Sequence, residues 1–333
     1  MFICHTNPVC RVSFLVPVLL AFTVFLTPAF AAATQFIDRE NTQTSTPETT
    51  AGLQAFFKAL DYNWMQFESG TPPFILGKIP ADINSTVSTV SKKHTFFMGI
   101  LPMVLLANQE ITGEREELLQ ILERHKRRET SANDRQQLKG ISKRYGLRGH
   151  PLIDHRARSR LLQRVDTIPP ALVLAQAANE SSWGTSRFAQ LGNNLFGEWT
   201  FKPGTGIVPA GRPPGKTYEV RKFFSLYESI RSYMNNLNSH GAYRNLRKIR
   251  AELRKSGQQV TGTALAIGLL KYSQRGEEYI REIQAMIRQN KLARTNTAFL
   301  RQPRTEILTS ISTTGSGLFS TRNRLIGHLR PTR

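Results

Sequence analysis

The stretch PPALVLAQAANESSWG, residues 169–184, carries the strongest structural signal in this chain. Its two prolines suit the first turn of a helix, because proline has no amide hydrogen to leave unpaired there. The next eight residues are apolar on nearly every face, so the helix is predicted to be buried on all sides. Gly184 is predicted to end it in a left-handed conformation. The sequence therefore predicts a central, fully buried helix.

Glu180 lies in the last turn of this predicted helix, where two effects act on its pKa in the same direction. Burial disfavours the charged carboxylate, and so does the negative end of the helix dipole. Trp183, three residues further on, is predicted to stack over the same face and exclude water. A carboxylic acid that stays protonated near neutral pH is what a general acid for glycoside hydrolysis requires. The local sequence alone also allows a buried glutamate paired with one of the many arginines.

The N-terminus has the layout of a secretory signal peptide. Arg11 precedes a largely apolar run, residues 12–26, and a small-residue cleavage site follows up to Ala33. The run is shorter than the roughly twenty residues of a comfortable membrane span. We therefore predict a cleaved signal peptide over residues 1–33 and a periplasmic protein, with an uncleaved inner-membrane anchor as the alternative.

Charge and cysteine content restrict the partners. The 333 residues carry 45 Lys and Arg against 24 Asp and Glu, a formal charge of +21, which predicts a polyanionic partner. Outside a bacterial cytoplasm the acidic polymers are peptidoglycan and lipid headgroups, so we expect glycan strands and an anionic membrane surface rather than nucleic acid. Cys4 and Cys10 both lie in the predicted signal peptide, so the mature chain has no disulfide. The histidines are scattered without ligand spacing, and no metal site or cofactor is predicted.

Composition divides the remaining chain into four segments. A small β-flap is predicted inside the third, with strands over residues 198–201 and 216–224 between turns rich in glycine and proline. The segments are a linker and loosely packed extension (34–93), a basic helical region (94–165), a catalytic domain (166–295) and a disordered basic tail (296–333).

Several motifs in the third segment resemble one known family. QAANESSWGTSRF, residues 176–188, and GNNLFG, residues 192–197, look like the glucosaminidase family, which is family 73 of the glycoside hydrolases. Within it, the chain resembles the Bax-like exported proteins of Gram-negative bacteria. Further matching stretches are residues 218–221, 229–243 and 271–279.

The resemblance implies a mainly α fold with a small β-flap (α+β), lysozyme-like, with a helical lobe and a β-hairpin lobe around a sugar-binding cleft. It also implies a peptidoglycan hydrolase, an endo-β-N-acetylglucosaminidase that cleaves the β-1,4 bond after N-acetylglucosamine. Glu180 takes the position of the general acid, and Tyr272 and Tyr279 occupy a tyrosine-containing motif near the cleft. A lytic transglycosylase and a non-catalytic cell-wall-binding or scaffold protein are the alternatives.

The second catalytic carboxylate varies in position within the family. Glu219 on the second flap strand is the predicted residue, and Glu198 beside Trp199 is its rival. Glu228 fits less well, because its spacing from Ser225 already explains it as part of a helix capping box.

Aromatic and amide side chains of the motifs are the predicted substrate contacts. Trp199, Phe196 and Tyr218 are candidate sugar-stacking surfaces, although Phe196 is equally explained as flap core. The other candidates for substrate binding are Trp183 and Asn194.

The chain departs from its relatives in two places. Ser182 stands where they generally have glycine. Thr200 and Thr205 stand where a cysteine pair often closes the flap, so packing and turns alone must hold the flap here.

Overall fold

The computed structural model describes residues 42–85 and 88–302. The predicted signal peptide and the predicted tail from residue 303 onward lie outside the described residues. The described α-helices are α1 (Thr50–Ala59), α2 (Thr89–Lys126), α3 (Ala132–Arg144), α4 (His155–Arg164), α5 (Pro170–Glu180), α6 (Arg187–Gly192), α7 (Leu226–Ser239), α8 (Arg244–Lys255), α9 (Gly262–Ala266) and α10 (Glu277–Gln289). The strands are β1 (Gln43–Ser45), β2 (Phe74–Leu76), β3 (Trp199–Thr200), β4 (Gly206–Ile207) and β5 (Glu219–Arg221). Short 3-10 helices span Phe67–Ser69, Ala81–Ser85, Gly241–Tyr243, Ile267–Leu269 and Leu292–Thr297.

Helix α5 is the predicted central helix, and its burial is confirmed. It begins at Pro170, every residue from there to Ala178 is buried, and it packs against α2, α9 and α10. The helix ends at Glu180, four residues before Gly184, because Ser182 and Trp183 already adopt left-handed φ values of 51° and 63°. This early end leaves Glu180 half-buried at the edge of the core.

The β-flap follows α6 and has three strands. They lie in the order β3-β5-β4, and both pairings are antiparallel. The sequence pattern predicted only a turn where β4 lies. Gly206 in β4 has no room for a side chain, since a Cβ atom there would lie 2.4 Å from the Val220 carbonyl oxygen. The Oγ1 atoms of Thr200 and Thr205 are hydrogen-bonded at 2.8 Å, so this pair joins the flap. A mainly helical lobe with a small flap is the predicted α+β class.

Residues 43–85 are well packed, so the prediction of a loosely packed extension is wrong. The segment inserts Phe57, Trp64 and Phe74 into the main hydrophobic core. Trp64 stacks on Phe97 of α2 at 5.1 Å, and Phe74 packs within 5.9 Å of Phe57. The sequence held a signal for this burial at α1, where Leu53, Phe56, Phe57 and Leu60 recur at helical spacing. The rest of the segment has only short elements without such a period.

The predicted tail also begins too early. The Thr71 amide donates to the carbonyl of Phe299, and the Arg301 amide donates to the carbonyl of Thr71. These backbone hydrogen bonds, together with packing of Leu300 on the core, hold residues 298–301 in the fold. The start of the tail at residue 296 is therefore wrong.

Helix α2 runs through both Pro102 and Gly113, residue types that commonly kink or end a helix. Its first half lies in the main core, so the predicted boundary at residue 94 falls inside one helix. The length and composition of α2 would suffice to cross a membrane, but 72% of its most apolar window is buried within the protein, as in a core helix.

The second half of α2 forms a smaller core with α3 and α4, which is the predicted basic helical region. Ser131 and Asp134 begin α3 with a capping box, whose spacing is readable in the sequence. Glu114 of α2 accepts hydrogen bonds from Tyr145 and from Arg231 of α7. Because Arg231 also pairs with Glu110 at 2.9 Å, this ion network joins the basic helical region to α7.

Candidate active site

Glu180 is positioned by the last turn of α5 and by α10. Its Oε1 atom accepts a 2.6 Å hydrogen bond from the Tyr279 hydroxyl, and the Asn179 side chain contacts the same atom at 3.5 Å. Burial raises the pKa of Glu180, and this outweighs the lowering that the two hydrogen bonds cause. The structure thus supports a carboxyl group that keeps its proton to higher pH than an exposed glutamate.

A chain of buried side chains supports this hydrogen bond. The Gln176 Nε2 atom donates a hydrogen bond to the Tyr279 hydroxyl at 2.8 Å, and the Gln176 Oε1 atom accepts one from the Tyr233 hydroxyl. Tyr233 in turn stacks on Phe196 with ring centroids 3.8 Å apart and planes within 7°. Because the Gln176 amide donates to the oxygen of Tyr279, the hydroxyl proton of Tyr279 points toward Glu180.

A cleft of about 770 Å³ opens in front of Glu180, between the helical lobe and the flap. One wall is the flap, and the other is a polar stripe of α7. The stripe has helical spacing and consists of Ser232, Asn235, Asn236 and Ser239. His240, Tyr243 and Tyr272 complete the end of the cleft. The volume and polar lining suit a sugar rather than an apolar ligand.

Glu198 faces Glu180 across this cleft, whereas Glu219 does not line it. The Glu198 Oε1 atom accepts hydrogen bonds from Arg221 at 2.7 Å and from Ser232 at 2.9 Å. Within the described residues its Oε2 atom has no hydrogen-bond partner. The charges of Glu180 and Glu198 both contribute to raising the pKa of Tyr272, after the larger effect of burial. Both carboxylates therefore line the same cleft as Tyr272 and act on it electrostatically.

Glu219 serves the flap itself. Its two carboxylate oxygens accept the backbone amides of Gly204 at 2.9 Å and Gly206 at 2.8 Å, and the side chain is buried. The bond from Gly204 is the largest of the effects that lower its pKa. The geometry therefore favours Glu198 over Glu219 as the carboxylate that accompanies Glu180 in the cleft, and the choice of the second catalytic residue stays a prediction. The predicted capping box of α7 is only half formed. The Ser225 hydroxyl accepts the Glu228 amide, but the Glu228 carboxylate accepts the amide of Phe224, one residue before the N-cap.

Two of the predicted substrate contacts lie elsewhere. Trp183 packs in T-shaped contacts on Phe96 and Phe97, with Lys93 above its ring, and it does not line the cleft. Its left-handed φ turns the side chain toward α2 instead of over Glu180. Asn194 is buried, and all its hydrogen-bonding capacity is used within the protein, since it binds the backbone around Glu198 and in β5. Asn194 therefore holds Glu198 in place and leaves nothing for substrate.

The remaining predicted residues lie at or beside the cleft. Trp199 is 49% exposed on the rim, and Tyr218 braces it edge-on at 4.4 Å from outside the cleft lining. Phe196 lines the cleft but is mostly buried. Tyr272 lines the cleft, stacks on Tyr279 at 5.2 Å, and its hydroxyl has no hydrogen-bond partner within the described residues. Trp199 and Tyr272 are thus the predicted aromatic residues most available to a sugar.

Sequence reasoning missed the polar stripe of α7 and Phe201, which is 77% exposed at the rim. The stripe had a signal, because Ser232, Asn235, Asn236 and Ser239 recur at i, i+3, i+4 and i+7 opposite the apolar face. Gln176 also had a signal in the sequence, because it is the single polar side chain between Pro170 and Ala178 of α5.

A half-buried acid facing a second carboxylate across a cleft between a helical lobe and a flap is the arrangement predicted for the lysozyme-like class. Residues 157–292 match the family model described as glucosaminidase, mannosyl-glycoprotein endo-beta-N-acetylglucosaminidase. The chain is 37% identical over 213 residues to the protein named bax of Escherichia coli K12, covering 63% of this chain and 74% of that protein. The chain belongs to the glucosaminidase family.

Among solved structures, the catalytic domain of the autolysin Auto of Listeria monocytogenes is similar at 16% sequence identity. The match covers 63% of this chain and 89% of that domain, with a TM-score of 0.31.

Proposed function

We propose that the protein is a peptidoglycan hydrolase, an endo-β-N-acetylglucosaminidase that cleaves the β-1,4 bond after N-acetylglucosamine in the periplasm. The observation that carries this proposal is Glu180, a carboxyl group with a raised pKa opposite Glu198 in a polar cleft. Family membership supports the reaction class. The signal-peptide pattern supports export, which a mature N-terminus within residues 32–35 would establish and an intact chain in the inner membrane would contradict.

Glu180 is the proposed general acid. Its proton passes to the glycosidic oxygen as the bond to the leaving sugar breaks, and the positive charge that develops on the remaining sugar ring needs a negative partner. Glu198 is the proposed partner, either as a base for the attacking water or as an electrostatic stabiliser. Arg221 and Ser232 hold one of its oxygens and leave the other directed to the cleft.

Side chains on the two walls of the cleft would bind and position the substrate. Trp199 and Phe201 on the flap offer exposed aromatic faces for the apolar sides of sugar rings. The amides of Asn235 and Asn236 offer donors and acceptors to sugar hydroxyl and acetamido groups. Tyr272 offers its hydroxyl beside Glu180.

The test is mass spectrometry of the fragments that the purified protein releases from peptidoglycan, after borohydride reduction. The proposal expects reduced N-acetylglucosamine at the new ends. Reduced N-acetylmuramic acid would reject the proposed bond, and 1,6-anhydro ends would identify a lytic transglycosylase. No release by a folded protein would favour the non-catalytic wall-binding alternative.

Substitutions test the two carboxylates. Glu180→Gln keeps the size of the side chain but cannot deliver a proton, so turnover is expected to fall by about a hundredfold or more with little change in melting temperature. Glu198→Gln is expected to impair turnover as well. The matched control is Glu228→Gln, since the amide oxygen of glutamine can also accept the Phe224 amide, and it should behave almost as the wild type. Near-normal cleavage by Glu180→Gln would end the assignment.

A further inference from the structure

A second cavity, of about 280 Å³, lies between α2, α4 and α8 and takes no part in the proposed reaction. Arginines dominate its lining, and a single carboxylate accompanies them. The charged residues that line it are Arg115, Arg158, Arg247, Arg250, Arg254 and Asp166. We call this set the arginine pocket.

Asp166 is the one acid of the arginine pocket, and three of its arginines share it. It is bonded to Arg254 at 2.6 Å, lies 3.4 Å from Arg250 and 4.0 Å from Arg115. Asp166 and Arg250 are both buried. One negative charge therefore meets three positive ones, which leaves this half of the pocket with an excess of two positive charges.

Arg247 and Arg158 have no carboxylate partner within the described residues. The Arg247 Nη1 atom donates to the backbone carbonyls of Leu237 and His240, and no protein acceptor pairs with its Nε and Nη2 atoms. Arg158 likewise donates only to backbone carbonyls, those of Pro151 and Leu152. Carbonyl groups orient a guanidinium but do not neutralise it, so the excess in the pocket rises to four positive charges.

The pocket holds this charge at an energetic cost. Burial lowers the pKa of Arg247 to about 10, and the neighbouring Arg164 and Arg244 contribute to the lowering. Burial also lowers the pKa of Arg250 to about 10, with the surrounding arginines acting against the attraction of Asp166. The charged guanidinium groups are destabilised where they lie, and an anion among them would relieve that destabilisation.

We propose that the arginine pocket binds a phosphate group. An excess of several charges favours a phosphate, which bears about −1.5 to −2 near neutral pH, over a single carboxylate. The planar fork of arginine pairs with phosphate oxygens through two parallel hydrogen bonds. The volume of about 280 Å³ suits one or two such groups and excludes a glycan strand. The phosphate belongs either to a small soluble ester or to the headgroup of an anionic lipid.

The site is coupled by position to the catalytic cleft. The turn that Arg247 holds through the Leu237 and His240 carbonyls also contributes Ser239, His240 and Tyr243 to the cleft. A phosphate bound to the free Nη2 of Arg247 would therefore act on a segment that lines both cavities.

The experiment measures binding of inorganic pyrophosphate by calorimetry at constant ionic strength, with acetate as the monoanionic comparison. The variant is Ala251→Glu, which introduces a carboxylate into the lining from α8 without removing any arginine contact. Ala132→Glu is the control, because it makes the same change of charge at an exposed position of α3. We expect the wild-type protein to bind pyrophosphate more tightly than acetate. Ala251→Glu should lower the affinity for pyrophosphate at least roughly tenfold, and Ala132→Glu should leave that affinity unchanged.

Equal weakening by both variants would show a diffuse charge effect and overturn the proposal, as would undiminished binding to Ala251→Glu. Arg158→Gln provides a second arm that removes an unpaired charge, and it should also weaken pyrophosphate. Vesicles containing phosphatidylglycerol separate the two sources of phosphate. Pyrophosphate competes with the vesicles if the headgroup is the ligand, and it does not compete if the ligand is a soluble ester.

Discussion

The hydrogen bond from Tyr279 to Glu180 allows a quantitative prediction of how activity depends on pH. The Tyr279 hydroxyl donates to Glu180 at 2.6 Å, so it stabilises the carboxylate and works against the burial that raises the pKa. Tyr279→Phe removes this donor and keeps the ring, including its stacking on Tyr272. The pKa of Glu180 must then rise further. The Asn179 contact, at 3.5 Å, is too long to replace the lost bond.

The size of the shift follows from the strength of the bond. A hydrogen bond to a charged group contributes about 1.5–3 kcal/mol. Because one pKa unit corresponds to about 1.4 kcal/mol, the pKa of Glu180 should rise by roughly one to two units. The general acid works only while it is protonated, so the alkaline limb of kcat/KM should move upward by the same amount. The maximal rate should fall, since the carboxyl group loses its orientation.

The assay is the pH dependence of kcat/KM on a soluble glycan fragment. Tyr145→Phe is the matched control, because it also removes a hydroxyl bonded to a glutamate, in this case Glu114 in the smaller core. Tyr145→Phe should be less stable than the wild type, but the alkaline limb of its kcat/KM profile should stay at the wild-type pH. An unchanged or acid-shifted limb in Tyr279→Phe would refute the reasoning, because it would mean that Glu180 is not the titrating acid.

Three further predictions concern stability. Ser182→Gly should raise the melting temperature slightly, with a gain of about 0.5–1 kcal/mol, because the exposed Ser182 has φ of 51° and a left-handed serine costs more than the entropy of glycine. Glu219→Gln should lower the melting temperature, because the two backbone N–H groups bind different carboxylate oxygens and one of them would then face the amide NH2 group, which cannot accept a hydrogen bond. Truncation after Gln302 should preserve folding and turnover, whereas truncation after Thr295 should destabilise the protein by removing the backbone bonds to Thr71.

Differential scanning calorimetry of the purified variants measures the three predicted changes in stability, and turnover of a soluble glycan fragment is measured beside it. A less stable Ser182→Gly would mean that the turn after α5 does not strain the serine. A Glu219→Gln protein of normal stability with strongly reduced turnover would restore Glu219 to catalysis. Equal stability of the two truncated proteins would show that residues 298–301 contribute nothing to folding.

Features that depend on neighbouring residues were predictable. The burial of α5 followed from an unbroken run of apolar residues, and the capping box of α3 followed from the spacing of Ser131 and Asp134. The raised pKa of Glu180 followed from the same run, because a carboxyl group in the last turn of a buried helix is desolvated wherever the other helices lie. In residues 43–85 only α1 shows a helical period of apolar residues. The packing of the remaining stretches was not predictable in this way, since their elements are too short to show a period.

The partner of Glu180 depended on the tertiary structure. Glu198 precedes β3 and Glu219 lies in β5, on strands that are paired in the same small sheet. A shift of one residue in a strand sends a side chain to the opposite face, and no local pattern in strands of two and three residues determines the register. Likewise, the left-handed turn after Glu180 carries Trp183 toward Phe96 and Phe97. The candidate acid could be identified from local sequence alone, because a continuous apolar helix is buried whatever its neighbours are. Only the folded chain decided which carboxylate and which aromatic rings face that acid, because strand register and turn direction are set by packing between distant segments.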